Sequence, residues 1–527
     1  MESTNKLTVS TGEILYWIFF SALFGAKGIG LYDGQVIFKL VLIVSVFLLI
    51  SKLFIESYSL NEIIKILVVV SITGSTYLIS GEKGLLLSGL VIIGMKFVDV
   101  KRLFAIETIV WTVAFFFVTF SSLFHMEDTV YKVHDKLGMG HIFRWSLGYA
   151  HPNVLHVSYV VLAMLFIYLL GDQFKIKHAV YLFLGNCIIF LYSVSYTGFL
   201  LFMCLIIGRI YFMKRKKLST IEKIVLQMVF PACVAVSLGF PLLASGKVFD
   251  IVNKLLSTRL ALAKYYLTPE FISLFGKRLC DITSHVMTMD NAYLFALITY
   301  GIIPFLVICL ATVWMIHKLI MQEKYLEILL ILVISVGGLT EPFLYNTSFK
   351  NLSFIFMGAL LFSNSEEQKQ YQVLPPKLTG RLNKNINIPV DFWYIMREKV
   401  ISMCRFSKLK FITGVLGAVL SVSLLVFNIS YPAGYVVHRI DCADIGEETH
   451  YYGDEKNFEN YKEMSNFQTG DKVEYFNGNI VKMEKIRNTV IVALAGYIAA
   501  YILCGILAKL PRHRSTKTGE ANGKNCE

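Results

Sequence analysis

Apolar stretches of about 20 residues recur along this chain of 527 residues, and each is long enough to cross a lipid bilayer as an α-helix. Inside a bilayer every backbone polar group must be satisfied within the protein, which restricts spanning segments to helices or closed barrels. Charged residues make up only 17% of the chain, whereas a soluble domain carries about 25%. The sequence therefore predicts an all-α, polytopic membrane protein.

The positions of these stretches predict fourteen transmembrane helices. Two of them, 84–98 and 350–363, are short enough to be tilted or re-entrant. The predicted spans are 13–31, 36–54, 62–80, 84–98, 103–124, 154–171, 178–195, 197–213, 222–242, 291–316, 325–340, 350–363, 411–429 and 488–508.

The formal net charge is +13, and the lysines and arginines lie mainly in loops on one side of the predicted spans. Cytoplasmic loops of membrane proteins are enriched in these residues, so the bias places both termini in the cytoplasm. The bias also explains the basic composition without a nucleic acid partner. The residues that carry it are Lys96, Lys101, Arg102, Lys175, Lys177, Lys214, Arg215, Lys216, Lys217, Lys318, Lys324, Lys377, Arg381, Lys384, Arg397, Lys399, Arg405, Lys408, Lys410, Lys509, Arg512 and Arg514.

Three long loops, 125–153, 243–290 and 430–487, remain on the predicted outer side, and the third is acidic. Its stretch Lys472–Glu484 alternates around Asn477-Gly478, which is typical of a β-hairpin. The basic, aromatic stretch Phe392–Lys410 is expected to lie on the membrane surface. The predicted domains are a twelve-span core at 1–363, a basic cytoplasmic or interfacial linker at 364–410, a two-span appendage at 411–508 and a cytoplasmic tail at 509–527.

Polar residues of chemical interest gather at the outer edges of the spans. The stretch Arg144–Asn153 runs directly into the span 154–171, and an arginine and a histidine at a membrane boundary are costly unless they serve a function. Arg144 is either a surface residue or a ligand-binding group. His151 precedes Pro152, so it either caps the helix or takes part in chemistry.

The second outer loop carries an arginine in an apolar setting. If residues 247–264 form a helix, polar and apolar side chains fall on opposite sides, as in a helix lying on a membrane surface. Arg259 lies near the middle of the apolar side and needs an anionic partner, because an unpaired charge is expensive there. The partner is either a carboxylate of a neighbouring span or a substrate phosphate, which the guanidinium matches bidentately.

Four further residues are candidates at the same side. Lys277 and Arg278 follow Gly276 in a loop whose positive charge opposes the topological bias, which indicates an anionic ligand. Asp290 is either a base or orienting carboxylate, or a helix N-cap. Glu341 precedes Pro342 at the end of a span and either pairs with an arginine or acts in catalysis.

The sequence contains no motif of a soluble enzyme. It lacks a phosphate-binding GxxxxGK[ST] loop, GxSxG and HExxH, so ATP-driven transport has no support within the chain. The histidines of the first outer loop, His125, His134, His141 and His151, are not spaced as zinc ligands are. We therefore expect no metal site and no cofactor.

Six motifs in a fixed order resemble the Wzy-type oligosaccharide repeat-unit polymerases of bacterial surface polysaccharides, which are relatives of the O-antigen ligases. The resemblance covers about residues 10–365 and does not include the appendage 411–508. Relatives often carry an arginine in the second motif, where this chain has Tyr196. The motifs are Gly148-Tyr149-Ala150-His151-Pro152-Asn153, the turn Ser193–Gly198, Ser257-Thr258-Arg259, Leu274-Phe275-Gly276, Asp290-Asn291-Ala292-Tyr293 and Tyr300-Gly301-Ile302-Ile303.

The resemblance implies a metal-independent, inverting glycosyltransferase on the outer face of the bacterial cytoplasmic membrane. Its donor would be a growing glycan on undecaprenyl pyrophosphate, and its acceptor a hydroxyl of one lipid-linked repeat unit. A chain-length regulator and a flippase of the same pathway would be its protein partners. The pyrophosphate-binding candidates are Arg259, Arg144, Lys277 and Arg278, and the catalytic candidates are Asp290, His151 and Glu341.

Three other functions compete with this interpretation. A ligase that moves a finished glycan to another acceptor would use the same donor chemistry. A flippase or transporter of lipid-linked oligosaccharides would need charged residues deep within several spans, and the predicted spans hold few of them. A structural partner of a polysaccharide assembly complex would dock through the acidic loop 430–487.

Overall fold

A computed structural model of the chain describes residues 6–124, 131–135, 141–215, 217–256, 259–278, 289–363, 370–389, 408–428, 435–441, 448–454, 472–476, 489 and 492–504. The protein is mostly helical. Its helices are α1 Thr11–Gly28, α2 Val36–Ile55, α3 Leu60–Ser80, α4 Gly84–Gly94, α5 Val100–Phe124, α6 Pro152–Leu170, α7 Ile176–Ser193, α8 Tyr196–Lys214, α9 Thr220–Leu243, α10 Gly246–Leu255, α11 Arg259–Tyr266, α12 Ala292–Tyr300, α13 Ile302–Met321, α14 Tyr325–Gly337, α15 Ser353–Leu361, α16 Pro376–Leu382, α17 Lys408–Asn428 and α18 Val492–Cys504.

Eight helices of the described residues, α2, α3, α5 to α9 and α13, are long and apolar enough to cross a membrane. The helices α4, α14 and α18 and the apolar part of α17 are shorter. These helices are consistent with a multi-pass membrane protein. The count of fourteen spans stays a prediction.

One predicted span is two helices. The structure breaks 291–316 at Gly301, whose φ of 87° is readily adopted only by glycine. The loop Ser273–Gly276 lies against this break, where the N–H groups of Ile302 and Ile303 donate to the carbonyls of Ser273 and Leu274. Two motifs of the family pattern therefore contact each other through backbone hydrogen bonds.

The predicted helix at 247–264 is also divided. Helix α10 has the strong amphipathic pattern expected, with exposed Val248 and Ile251 on its apolar side. It ends at Leu255, and the chain turns before α11 begins at Arg259. The break frees Arg259 from the face that a continuous helix would have given it, so that the side chain reaches another element.

The interior of the core is centred on α6, which packs against α5, α7 and α8. In the most apolar stretch of α6, 78% of the residues are buried, compared with 22% in α2 and 17% in α3. The Trp111 indole of α5 donates to the carbonyl of Ser158 across 2.9 Å within this interior. The first residues of α6 are thus held by a buried framework, whereas α2 and α3 leave apolar side chains exposed.

Short strands tie the predicted linker to the core. Strand β1 Lys6–Ser10 pairs antiparallel with β6 Asn385–Pro389, and β2 Ser57–Ser59 pairs with β5 Gln370–Gln372. Beside β2, the buried Lys96 ammonium forms an ion pair with Glu62 across 2.5 Å. Residues 370–389 are therefore part of the fold of the core.

The chain divides into two compact units, Met1–Ile401 and Ser402–Glu527, and this division falls within the predicted linker 364–410. The membrane-surface prediction for Phe392–Lys410 lies outside the described residues except for the first turn of α17. Within the second unit, Gly417 of α17 lies against Gly496 and Ala500, an arrangement that small residues permit.

Among its described residues, the acidic loop 430–487 of the second unit forms three strands, β7 Tyr435–Asp441, β8 Glu448–Asp454 and β9 Lys472–Phe476. Strand β9 pairs with β7, which also pairs with β8. The hairpin around Asn477-Gly478 stays a prediction. Residues 477–488 lie outside the described part of the chain.

Candidate functional site

A cavity of about 870 Å³ gathers most of the polar residues that the sequence singles out. Arg144, His151, Arg259, Asp290 and Glu341 all line it, so five of the seven candidates share one cavity although they are far apart in the sequence. Its walls come from strand β4 His141–Trp145, from the starts of α6, α8 and α11, and from the loops before α12 and α15. Its other polar lining residues are Asn153, Tyr196, Thr197, Thr340, Asn346, Ser348 and Lys350.

Arg259 forms an ion pair with Asp290. The guanidinium Nε of the first residue of α11 donates to Oδ2 of Asp290 across 2.7 Å. Both side chains are about one-third exposed, at 30% and 32%. Asn291 caps α12 instead, since its side chain accepts from the N–H groups of Tyr293 and Leu294. Asp290 is therefore not the N-cap of α12, and its carboxylate orients Arg259.

A buried chain of hydrogen bonds joins Arg144 to Glu341. Arg144, which is 3% exposed, donates through Nη2 to the side-chain carbonyl of Asn153. The amide nitrogen of Asn153 donates in turn to Glu341 Oε1 across 2.7 Å. Arg144 is fixed from the other side because its Nε donates to the carbonyl of Ser193 across 2.9 Å. This arrangement immobilises both charged groups without a direct ion pair.

Burial shifts the protonation of these two groups in the direction of their neutral forms. It raises the pKa of the Glu341 carboxyl to about 7, even though the charge of Arg259 favours the carboxylate. Burial also lowers the pKa of the Arg144 guanidinium to about 10, while the charge of Glu341 acts in the opposite direction. Glu341 therefore exchanges its proton near neutral pH, as a general base does.

His151 caps α6, because its Nδ1 accepts from the N–H of Asn153 across 3.1 Å and Pro152 occupies the first turn. It also lines the cavity. A second histidine, His156, lies behind the wall and is fully buried. Its ring contacts Ser193 and Asn186 at 2.9 and 2.8 Å, and Ser193 is also the residue whose carbonyl binds Arg144.

Lys277 and Arg278 do not line the cavity. The Lys277 ammonium donates to the carbonyl of Glu270 within its own loop, and the side chain of Arg278 lies against Gly81 at the end of α3. Tyr196 is the first residue of α8 and lines the cavity within electrostatic range of Arg144. The cations at the cavity are thus Arg144, Arg259 and Lys350.

Two residues of the cavity escaped the sequence interpretation. Asn153 was read only as part of a motif, and its bridging role depends on residues 9 and 188 positions away. Lys350 was taken as the first residue of a span. The sequence did offer a sign of its importance, because Lys350 is a lysine at the predicted outer edge of the membrane, where lysines are less frequent than on the cytoplasmic side.

Three residues beside the cavity hold an uncommon backbone conformation. Leu147, Val194 and Phe349 have φ values of 44°, 42° and 56° and are not glycine. Such a conformation costs on the order of 1–3 kcal/mol and persists where the surrounding structure requires it, often at functional sites. Each lies within three residues of a group in the Arg144 network or of Lys350.

A second, apolar cavity of about 220 Å³ meets the first at the ion pair. Arg259 and Asp290 line both, together with Leu256, Leu339 and Thr340. The rest of its wall comes from the end of α9, α11 and the start of α12. Its apolar lining includes Val236, Phe240, Pro241, Leu260, Leu262 and Leu294.

Within the described residues, no group of three histidine, cysteine, aspartate or glutamate side chains is placed to hold a metal ion. No protein-family model, no curated protein and no solved structure matches this chain.

Proposed function

We propose that the protein polymerises lipid-pyrophosphate-linked oligosaccharide repeat units into a surface polysaccharide on the outer face of the bacterial cytoplasmic membrane. The observation that carries this proposal is the Arg259–Asp290 pair, which lies between a large polar cavity and a smaller apolar one. A lipid-linked sugar has this division, with an apolar chain, a pyrophosphate and a glycan in series.

The two arginines suit the leaving group. When the sugar is transferred, the bond between its anomeric carbon and the pyrophosphate oxygen breaks, and negative charge grows on that oxygen. Fixed cations stabilise such a charge, and arginine binds phosphate bidentately. Among the described contacts, Arg259 donates to Asp290 only through Nε. Both Nη groups therefore remain for the pyrophosphate. Arg144 adds a second, immobile cation to the same cavity.

Glu341 is the best placed base. The acceptor hydroxyl attacks the anomeric carbon, and its proton passes to the Glu341 carboxylate. Burial raises the pKa of Glu341 to about 7, which matches a base working near neutral pH. Asp290 is paired with Arg259, so we assign it the orientation of that guanidinium. His151 stands at the cavity as the alternative base.

The apolar cavity suits the first units of the lipid carrier. Its walls come from α9, a helix with 22% of its most apolar stretch buried, and from α11 and α12. With both termini in the cytoplasm, as the distribution of lysine and arginine predicts, these walls lie at the outer edge of the bilayer.

The test uses the purified protein in liposomes, supplied with lipid-pyrophosphate repeat unit extracted from the source cells. We expect a ladder of products on a gel, and Arg259→Ala should give none although the protein still inserts. Transfer of one block to a different acceptor would instead identify a ligase. If no glycan is transferred and lipid crosses the bilayer, the protein is a flippase and the proposal fails.

A further inference from the structure

Lys350 is a buried cation that the transfer chemistry described above leaves unused. Its side chain lines the large cavity, but the residue is only 4% exposed. The ammonium donates to the carbonyl of Val154 across 3.3 Å, the one hydrogen bond of this group among the described contacts. An ammonium group carries three donors, so two are directed elsewhere.

The loop that carries Lys350 is fixed from several sides. The side chain of Asn351 donates to the carbonyl of Leu344 across 2.8 Å, and the hydroxyl of Ser348 donates to Phe343. Phe349, with its φ of 56°, packs edge-on against Phe20 of α1. A strained residue directly before a buried lysine indicates that the fold maintains its position.

The bond to Val154 does not account for the lysine. The carbonyl of Val154 already accepts from the hydroxyl of Ser158 across 2.6 Å. Removal of the ammonium would therefore leave that carbonyl satisfied. A buried ammonium costs free energy unless it is compensated. Burial lowers the pKa of the Lys350 ammonium to about 7, while the charge of Glu341 acts in the opposite direction. The group makes no ion pair within 4.0 Å among the described residues.

Glu341 lies within electrostatic range of both Lys350 and Arg259. Lys350 and Glu341 line the same cavity, and no ion pair joins them among the described residues. The pyrophosphate is assigned to Arg259 and Arg144, so the group beside Glu341 is the attacking hydroxyl and its sugar ring.

We propose that Lys350 is an acceptor-positioning residue, whose ammonium group binds an oxygen of the acceptor sugar and holds the attacking hydroxyl beside the Glu341 carboxylate. This inference rests on the proposed glycosyl transfer. It assigns different residues of one cavity to the two substrates, Arg259 and Arg144 to the donor and Lys350 to the acceptor.

The experiment separates the two substrates. The donor is the lipid-pyrophosphate repeat unit from the source cells, and the acceptor is the same repeat unit freed from lipid and labelled with a fluorophore at its reducing end. Transfer to the labelled acceptor is measured with wild type, Lys350→Met and Lys350→Arg. Lys65→Met is the matched control, because Lys65 is an exposed lysine that also donates to a backbone carbonyl, that of Leu361.

We expect Lys350→Met to raise the KM for the acceptor roughly 10- to 100-fold, since a charged hydrogen bond is lost. The KM for the donor should stay within about twofold, because the cations assigned to the donor are unchanged. Lys350→Arg should recover most of the acceptor affinity, and Lys65→Met should behave as wild type. Fluorescence anisotropy of the labelled acceptor on the purified protein should show the same order of affinities without turnover.

Two results would overturn the inference while leaving the proposed function intact. One is an unchanged acceptor KM in Lys350→Met, and the other is an equal loss for donor and acceptor together with a lower melting temperature, which would make Lys350 a structural residue. If wild type transfers no glycan, the proposed function itself fails, and binding of the labelled acceptor then decides whether Lys350 contacts a sugar.

Discussion

The guanidinium of Arg259 and the carboxylate of Asp290 meet across 2.7 Å although 31 positions separate them in the sequence. The pair joins the first residue of α11 to the residue before Asn291, the cap of α12, and stands where the two cavities meet. Because about two-thirds of each side chain is covered, the pair is better fixed than an ion pair on an open surface. It therefore fixes the geometry at the point where the two cavities meet.

Arg259→Ala should reduce glycan transfer at least about 100-fold, because one fixed donor for a developing oxyanion is lost. Transfer is measured by the ladder assay in liposomes. Arg381→Ala is the control, since Arg381 is exposed in α16 and lines neither cavity. Normal ladders from Arg259→Ala would remove this residue from the site. Asp290→Asn should lose less activity, because the arginine stays but is less firmly oriented.

The rate of transfer should rise as the pH approaches about 7, where the Glu341 carboxyl loses its proton. Glu341 is active as a base only when it is deprotonated, and burial raises its pKa to about 7. Glu341→Gln should lower the rate roughly 100-fold or more and abolish this rise. Glu270→Gln, which changes an exposed carboxylate, should leave the profile unchanged. An undiminished rate in Glu341→Gln would transfer the role of base to His151.

The same pKa shift predicts how stability depends on pH. The folded protein keeps its proton on Glu341 up to about pH 7, whereas the unfolded chain releases it near the ordinary value of 4.5. Between these values the folded state binds more protons, so stability falls as the pH rises. The melting temperature of the detergent-solubilised protein should fall less over this interval in Glu341→Gln than in wild type. An equal fall in both would show that other groups determine the dependence.

Asn153→Ala should impair transfer roughly 10- to 100-fold, because Arg144 and Glu341 both lose a buried partner. The melting temperature should fall as well, since the two charged groups remain buried. Asn383→Ala is the control, as Asn383 bonds the backbone of Gly12 and lines neither cavity. If Asn153→Ala matches this control in both measurements, the bridge between Arg144 and Glu341 contributes neither to transfer nor to stability.

Gly301→Ala should destabilise the core by more than about 1 kcal/mol, because its φ of 87° is strained for alanine. The added methyl group would also lie 2.3 Å from the backbone nitrogen of Gly276. Gly239→Ala in α9 has open space around the new methyl group and should be neutral or stabilising. Thermal unfolding in detergent compares the two, and a stable Gly301→Ala would mean that the loop 273–276 can move away.

Local patterns of the sequence predicted much of the fold. The apolar runs placed a helix at each predicted span, and Arg144, His151 and Arg259 were found because charged or polar groups at apolar boundaries are expensive. The break at Gly301 was not predicted, because it depends on the distant loop 273–276. The pairing of β1 with β6 also joins the two ends of the first unit, which no local pattern can indicate.

The composition of the site was harder to predict than its location. Glu341 was a candidate from the sequence, but the raised pKa of its carboxyl arises from burial by residues that the sequence does not place beside it. Lys350 was predicted only as the first residue of the span 350–363, and no local pattern places it beside Glu341. Lys277 and Arg278 carry the same charge as Arg259 and were predicted as equivalent candidates. In the structure, however, Lys277 donates to the carbonyl of Glu270 and the side chain of Arg278 lies against Gly81.

The pairing of β1 with β6 also bears on the order in which parts of the protein fold during synthesis. Ribosomes add residues from the N-terminus, so Lys6–Ser10 leaves the ribosome long before Asn385–Pro389 exists to receive it. The first strand must wait, unpaired, while the helices between the two strands are made. Closure of this small sheet is therefore a late event of biogenesis, and a chain truncated before residue 385 would retain its helices with an open edge at β1.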